Sequence, residues 1–193
     1  VTNPEVLTAV EDALADHFGQ RPQRASVSFV GVEPIDVLRF EPIPGERAYV
    51  SLGMARRPMT APDAPALAVD GPRAELLLHL RDPVDRHTDV WRRLAVLAAA
   101  PAVEGVVYAP GMSVDVGEPL SGAATCTGAI VTESVIDAVP TTAGAVAVLQ
   151  LIPATPAELA WCRVRGSAAL RERWADQRID LLDLARRPVV LQD

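Results

Sequence analysis

Apolar positions first recur at helical spacing near the start of the chain. Val6, Val10 and Leu14 form one stripe, flanked by Leu7 and Phe18, the interval that a helix with one covered face requires. Asn3 can cap this helix, Pro4 suits its first position, Glu5 lies against the positive end of the dipole, and Gly19 supplies a stop. The period then drops to two. Residues 26–30, 35–40 and 47–52 alternate as half-buried strands do. The connections 31–34 and 42–45 are short and turn-rich, so adjacent strands are predicted to pair as antiparallel hairpins.

Residues 53–72 break the pattern. Pro58, Pro62, Pro65 and the pair Gly71-Pro72 predict a long irregular segment, and loops of that length in compact domains are commonly functional. Residues 74–80 then form an apolar run bounded by Pro72 and Pro83, a central strand. Thr88 is placed to cap a second helix bearing Trp91, Leu94, Ala95 and Ala98, which Pro101 ends. Residues 106–108 read as a short strand, 110–122 as a loop, and 127–136 and 145–152 as two further strands. The last is almost wholly apolar, as in a strand covered on both faces. Beyond Pro153 the pattern turns helical. Thr155 can cap, Pro156 takes the first position, and Glu158 completes a capping box. Gly166 divides two helical pieces, one with Leu159 and Cys162, the other with Leu170 and Trp174. Residues 179–184 read as a final helical turn. This order predicts an α+β fold: one mixed, mostly antiparallel β-sheet with helices packed on it, a single domain over 1–193.

Charge narrows the partners. All 18 basic residues are Arg against 25 Asp or Glu, a net charge of −7 with no basic stripe, so nucleic acid is a poor partner. The absence of Lys, the single Asn and the many Ala match a GC-rich bacterial genome. No basic region followed by an apolar one opens the sequence. The longest charge-free run, 138–157, is broken by Pro140, Pro153 and Pro156 and carries Gln150. Neither a signal peptide nor a membrane span is predicted, and the expected location is the cytoplasm. Cys126 and Cys162 lack redox or zinc spacing and read as small buried hydrophobes.

Candidate chemistry is sparse. His79, Asp82, Asp85, His87 and Asp89 are residue types that zinc or manganese accepts. They follow no metal-binding frame, however, and a solvated loop before a capped helix explains them with no metal or cofactor. Gly111-Met112-Ser113-Val114-Asp115 begins like a nucleophile elbow but lacks its final glycine. His17 stands at a helix end, where a solvent-facing imidazole is common. The glycines have no phosphate-binding spacing. Glu75 stands out, because a carboxylate inside an apolar strand must face water, pair with an arginine such as Arg56, Arg57 or Arg73, or bear a large desolvation cost.

Residues 51–59, Ser-Leu-Gly-Met-Ala-Arg-Arg-Pro-Met, resemble a signature of the suppressor-of-fused-like domain family that follows a core strand and opens a long loop. Further landmarks follow in order. Residues 74–77 (Ala-Glu-Leu-Leu) are similar to the next strand of the family, and Trp91 with Leu94, Leu97 and Ala98 to its tryptophan-bearing helix. Leu151-Ile152-Pro153 with Glu158-Leu159, and finally Arg186-Arg187-Pro188, complete the set. The likeness spans about 47–190. Ala55 departs from it, standing where the family carries a small polar residue, and 110–140 matches no landmark.

The resemblance implies a suppressor-of-fused-like sandwich with no catalytic apparatus and no cofactor. Animal members resemble scaffolds that hold a transcription-factor peptide between two domains, and this chain has the length of only the first. Bacterial single-domain relatives are proposed as immunity proteins that neutralise toxins by direct binding. An acidic surface speeds encounter with a basic partner, such as a nuclease toxin domain. The candidate partner-binding residues are Met54, Arg56, Arg57, Met59 and Glu75: adaptable apolar side chains, bidentate cations and the strand carboxylate. The opposing expectation is that Met54 and Met59 tuck into the core and leave only the arginines outside. The alternative function is a hydrolase, metal-dependent or otherwise, using Glu75 with His79 or His87.

Overall fold

A computed structural model describes residues 4–61, 71–122 and 124–191; the expected cap Asn3 and residues 62–70 of the long loop, Pro62 and Pro65 among them, lie outside this set. Helix α1 (Pro4–Phe18) leads into strands β1 (Gln23–Phe29), β2 (Val32–Phe40) and β3 (Glu46–Leu52). These pair as consecutive antiparallel neighbours, with Leu38 opposite Val50 and Tyr49 opposite Arg39. A short 3-10 turn (Met54–Arg56) follows, then β4 (Arg73–Arg81), α2 (Val90–Glu104), β5 (Ser113–Asp115), β6 (Gly128–Glu133), β7 (Val139–Thr141), β8 (Gly144–Ala154), α3 (Pro156–Arg165) and α4 (Ser167–Asp176).

One eight-stranded sheet runs in the order β1-β2-β3-β4-β8-β6-β5, with β7 also pairing β8. The β4–β8 pair is parallel, Leu76 facing Leu149, and the remaining pairs are antiparallel. The expected mixed, mostly antiparallel sheet is therefore what forms. Alternation along the strands divides the core between the two faces. Val6, Val10 and Leu14 of α1 bury against Leu38, Val50, Leu77 and Val148. Leu94, Ala95 and Ala98 of α2 bury against Val37, Leu76, Leu78 and Leu149 on the other face. Adjacent residues of β4 thus enter opposite cores, which is why its sequence reads as an unbroken apolar run. A third cluster joins α3 and α4 to Ile130 through Leu159, Leu170 and Trp174.

Several local expectations change. Helix α2 begins one residue after Asp89, not at Thr88, and neither side chain caps it. Asp89 instead accepts from the Ser121 hydroxyl, and the Thr88 carbonyl accepts from the Trp91 indole. Pro101 does not end the helix, which continues to Glu104 and closes on Gly105 in the left-handed region, φ 70°. The missing Pro101 N–H leaves the Leu97 carbonyl without its helical donor. The Tyr108 hydroxyl supplies one at 2.7 Å. Residues 106–108, expected as a strand, are an irregular connection that delivers this tyrosine. The loop expected at 110–122 contains β5, the strand expected at 127–136 stops at Glu133, and residues 179–184 form turns rather than a helix. Strand β7 is too short, and too disturbed by Pro140, to leave a periodic signal.

Tyr108→Phe is expected to leave the Leu97 carbonyl unpaired in the core and to destabilise the fold by about 1–3 kcal/mol. Urea unfolding with an unchanged m-value is the measurement that checks it.

Candidate functional site

The family-like segment after β3 is built on Glu75. Gly53 turns the chain at φ 140°, a conformation strained for any side chain, and a Cβ there would stand 2.6 Å from an Arg56 guanidinium nitrogen, which would have to move. The turn then points its N–H groups inward. The Glu75 carboxylate accepts from Gly53 N at 2.7 Å, Ala55 N at 3.0 Å and the Ser51 hydroxyl at 2.5 Å. Ser51 Oγ in turn accepts from Leu76 N. Glu75 is fully buried, and that burial pushes its pKa up to about 7 against the pull of these donors. None of the expected arginine pairs forms. Arg56 donates to the Pro34 carbonyl and approaches Glu33, Arg73 donates to the Ala55 and Ala143 carbonyls, and Arg57 faces solvent. Backbone donors do the work expected of a cation, because a 3-10 turn leaves its first N–H groups unpaired.

The five candidate contact residues therefore separate. Met54 and Met59 are buried in the α2-side core, the second of the two expectations weighed for them. Glu75 lies beneath the turn. Arg57 is the exposed member of the set, with Arg56 partly buried.

A second buried carboxylate, Glu158, completes the capping box that the sequence predicts, accepting from Thr155 N while Thr155 Oγ1 accepts from Glu158 N. Arg186 then grips it through two bonds of 2.7 Å, and Trp174 Nε1 and Val189 N also donate. Burial opposes the charge, but the Arg186 bonds and backbone donors hold the pKa below the ordinary carboxylate value. This cluster fastens the C-terminal tail to α3 and α4. The capping box and the Arg186-Arg187-Pro188 motif are both visible in the sequence; no spacing rule joins them across 28 residues.

The histidine and aspartate cluster disperses. Asp82 is buried and accepts from Arg86 N and His87 N, closing the β4–α2 connection. His79 lines a hollow on the α1 side with Phe18 and Leu77, 2.8 Å from Glu46 Oε2 at an ion-pair separation whose angle makes no hydrogen bond. His87 lines a hollow on the other face with Val37 and Tyr49. Glu75, His79 and His87 therefore do not converge, and among the described residues no group of three or more ligating side chains could hold a metal. Ser113 lies within β5, with no helix following it to make an elbow. Cys126 and Cys162 are both buried, and burial pushes the Cys126 thiol up to about 11, far from a reactive thiolate.

The two buried carboxylates predict opposite pH slopes. Glu75, raised in the fold, favours its protonated form, so its contribution is complete below the unfolded value and is lost as pH rises through about 7. Thermal melts from about pH 5 to about pH 8 should show wild type losing stability relative to Glu75→Gln, whose side chain does not titrate. Glu158, lowered in the fold, stabilises above its unfolded value and loses that contribution on acidification. Arg186→Met leaves Glu158 buried without its cation and should cost about 3–5 kcal/mol at neutral pH, read from denaturant unfolding.

The chain's relatives place this architecture. The family model described as suppressor of fused protein (SUFU) matches residues 31–187. No curated protein sequence matches significantly. A SUFU homolog from Neisseria gonorrhoeae, solved by crystallography, superposes with a TM-score of 0.70 at 17% identity, covering 99% of this chain and all of that one. The crystal structure of a Sufu–Fu complex aligns at 0.67 and 14% identity over 96% of this chain and 92% of that one. Drosophila Suppressor of Fused aligns at 0.67 and 14% identity over 96% of this chain but 51% of its own length, so this chain spans about half of the Drosophila protein. The family match covers the sheet from the β1–β2 turn through the Arg186 clamp, and on that extent the chain belongs to the suppressor of fused family.

Proposed function

We propose that this chain is a non-catalytic protein-binding domain, acting as one suppressor-of-fused-like unit in a bacterial cytoplasm, and that it serves as an immunity protein that blocks a basic toxin domain by direct contact. The observation that carries this reading is the family match over 31–187, joined by a structural relative solved in complex with a protein, Fu. The interior supports it. The two perturbed carboxylates are each engaged in holding a segment in place, Glu75 the turn after β3 and Glu158 the tail. The net charge of −7 suits a cationic partner, and no described helix is long and apolar enough to cross a membrane. The hydrolase reading gains nothing from the fold, since its three residues lie apart.

In this reading the exposed Arg57 meets the partner, with Arg56 beside it, while Met54, Met59 and Glu75 support the turn that carries them. The test is co-expression with each toxin-like product encoded beside the gene. The expected result is restored growth together with a stoichiometric complex on size-exclusion chromatography. Growth arrest that persists with every neighbouring toxin, with no complex, removes the immunity reading.

A further inference from the structure

Helix α2 has no polar residue between Arg93 and Glu104. A helix that is apolar all round is ordinarily buried all round, whereas one with a single covered side turns charged residues outward. Helix α2 does neither. Leu94, Ala95 and Ala98 enter the core, but Val96 is 44% exposed and Val103 60%. Arg92, Val96, Ala100 and Val103 recur at helical spacing along the outer side, with Ala100 half-buried between the two valines. The β1–β2 turn adds to this apolar surface. Gly31 and Val32 share a hollow with Pro101 and Ala102, and Val30 beside them is fully exposed. An apolar area of this kind on an otherwise charged molecule marks a contact surface.

The charges at the two ends of α2 run against the helix. Arg92 and Arg93 stand in its first turn and Glu104 in its last, the reverse of the order that the helix dipole favours. Arg93 is engaged by Glu118. Arg92 lies over the Trp91 ring, Cζ 5.0 Å from the centroid. Among the described residues neither Arg92 nor Glu104 makes an ion pair, and both are exposed. About 18 Å of helix separates them, so they do not meet within one chain.

We infer that this side of α2 is a homodimer interface, on which a second copy of the chain packs antiparallel about a two-fold axis. A two-fold contact requires a surface that is complementary to itself, and this one is. Arg92 and Glu104 stand equally far from Ala98 along the helix, as do Val96 and Ala100. Reversing the helix about that point sets each Arg92 beside the partner's Glu104 and each Val96 against the partner's Ala100, whose small side chain lets the helices approach closely. The charges misplaced in a single helix are then well placed, because each helix end meets the charge its dipole favours. Arg93 and Glu118, paired with each other, flank the contact and add no net charge to it. Nothing in this contact depends on the toxin partner proposed above.

Sedimentation equilibrium of the full chain at increasing concentration tests the interface. One helix side from each copy should give a concentration-dependent dimer with a Kd of roughly 10–100 µM. Val96→Asp puts a charge at the centre of the contact and should weaken association by about a hundredfold. Arg92→Glu and Glu104→Arg each set like charges together across the axis and should each weaken it about tenfold. The double exchange restores opposite charges and should bring the Kd back to within about threefold of wild type, an outcome that a merely structural role for either residue would not produce. Urea midpoints confirm that each variant is folded; should Val96→Asp not fold, the charge exchanges decide alone. A chain that stays monomeric to about 1 mM, a dimer unmoved by Val96→Asp, or a double exchange no tighter than the single ones overturns the homodimer.

Discussion

The parallel pairing of β4 with β8 is the constraint from which the rest of the molecule follows. Parallel neighbours cannot be joined by a tight turn, so the chain must leave one end of the sheet and return to the other. Here it makes that passage through α2, β5, β6 and β7. A parallel pair is also buried on both faces. Helix α1 covers one side and α2 the other, and Leu77 and Leu76 of the same strand enter the two cores. Removing either helix would expose the most apolar strands in the chain.

That burial explains why two carboxylates in the interior are treated so differently. Glu75 stands in β4 itself, where a cation would also have to be desolvated, and its carboxyl is held by two N–H groups and a hydroxyl from the turn it organises. Glu158 lies at a helix start beside the C-terminal tail, and a guanidinium reaches it bidentately while stacking against Trp174, Cζ 5.5 Å from the ring centroid. The first arrangement fixes a turn a few residues long; the second fastens a distant segment. Both carboxylates are thus engaged within the fold, one by a turn and the other by the tail.

The helices α1, α3 and α4, the three leading strands and the two central ones were legible because each carries a repeating pattern or a cap that acts within a few residues. The Thr155–Glu158 box is such a case: both bonds are local, and both form. Expectations failed where a distant group intervened. Pro101 should have stopped α2, but the Tyr108 hydroxyl satisfies the carbonyl that proline orphans. Glu75 should have drawn an arginine, but the turn's own backbone reached it first. His79 and His87 looked like neighbours in sequence, and the end of β4 sent them to opposite faces.

By itself, then, the order of residues determined the α+β class, the mixed sheet, the acidic exterior and the family likeness, since each depends on periodicity, composition or short motifs. Only the tertiary structure decided that Met54 and Met59 face inward, that Arg186 grips Glu158, and that Tyr49, Asp85, His87 and Trp91 share one cavity. The physical reason is that those contacts join residues brought together by sheet pairing, and pairing across strands obeys no rule written in the spacing along the chain.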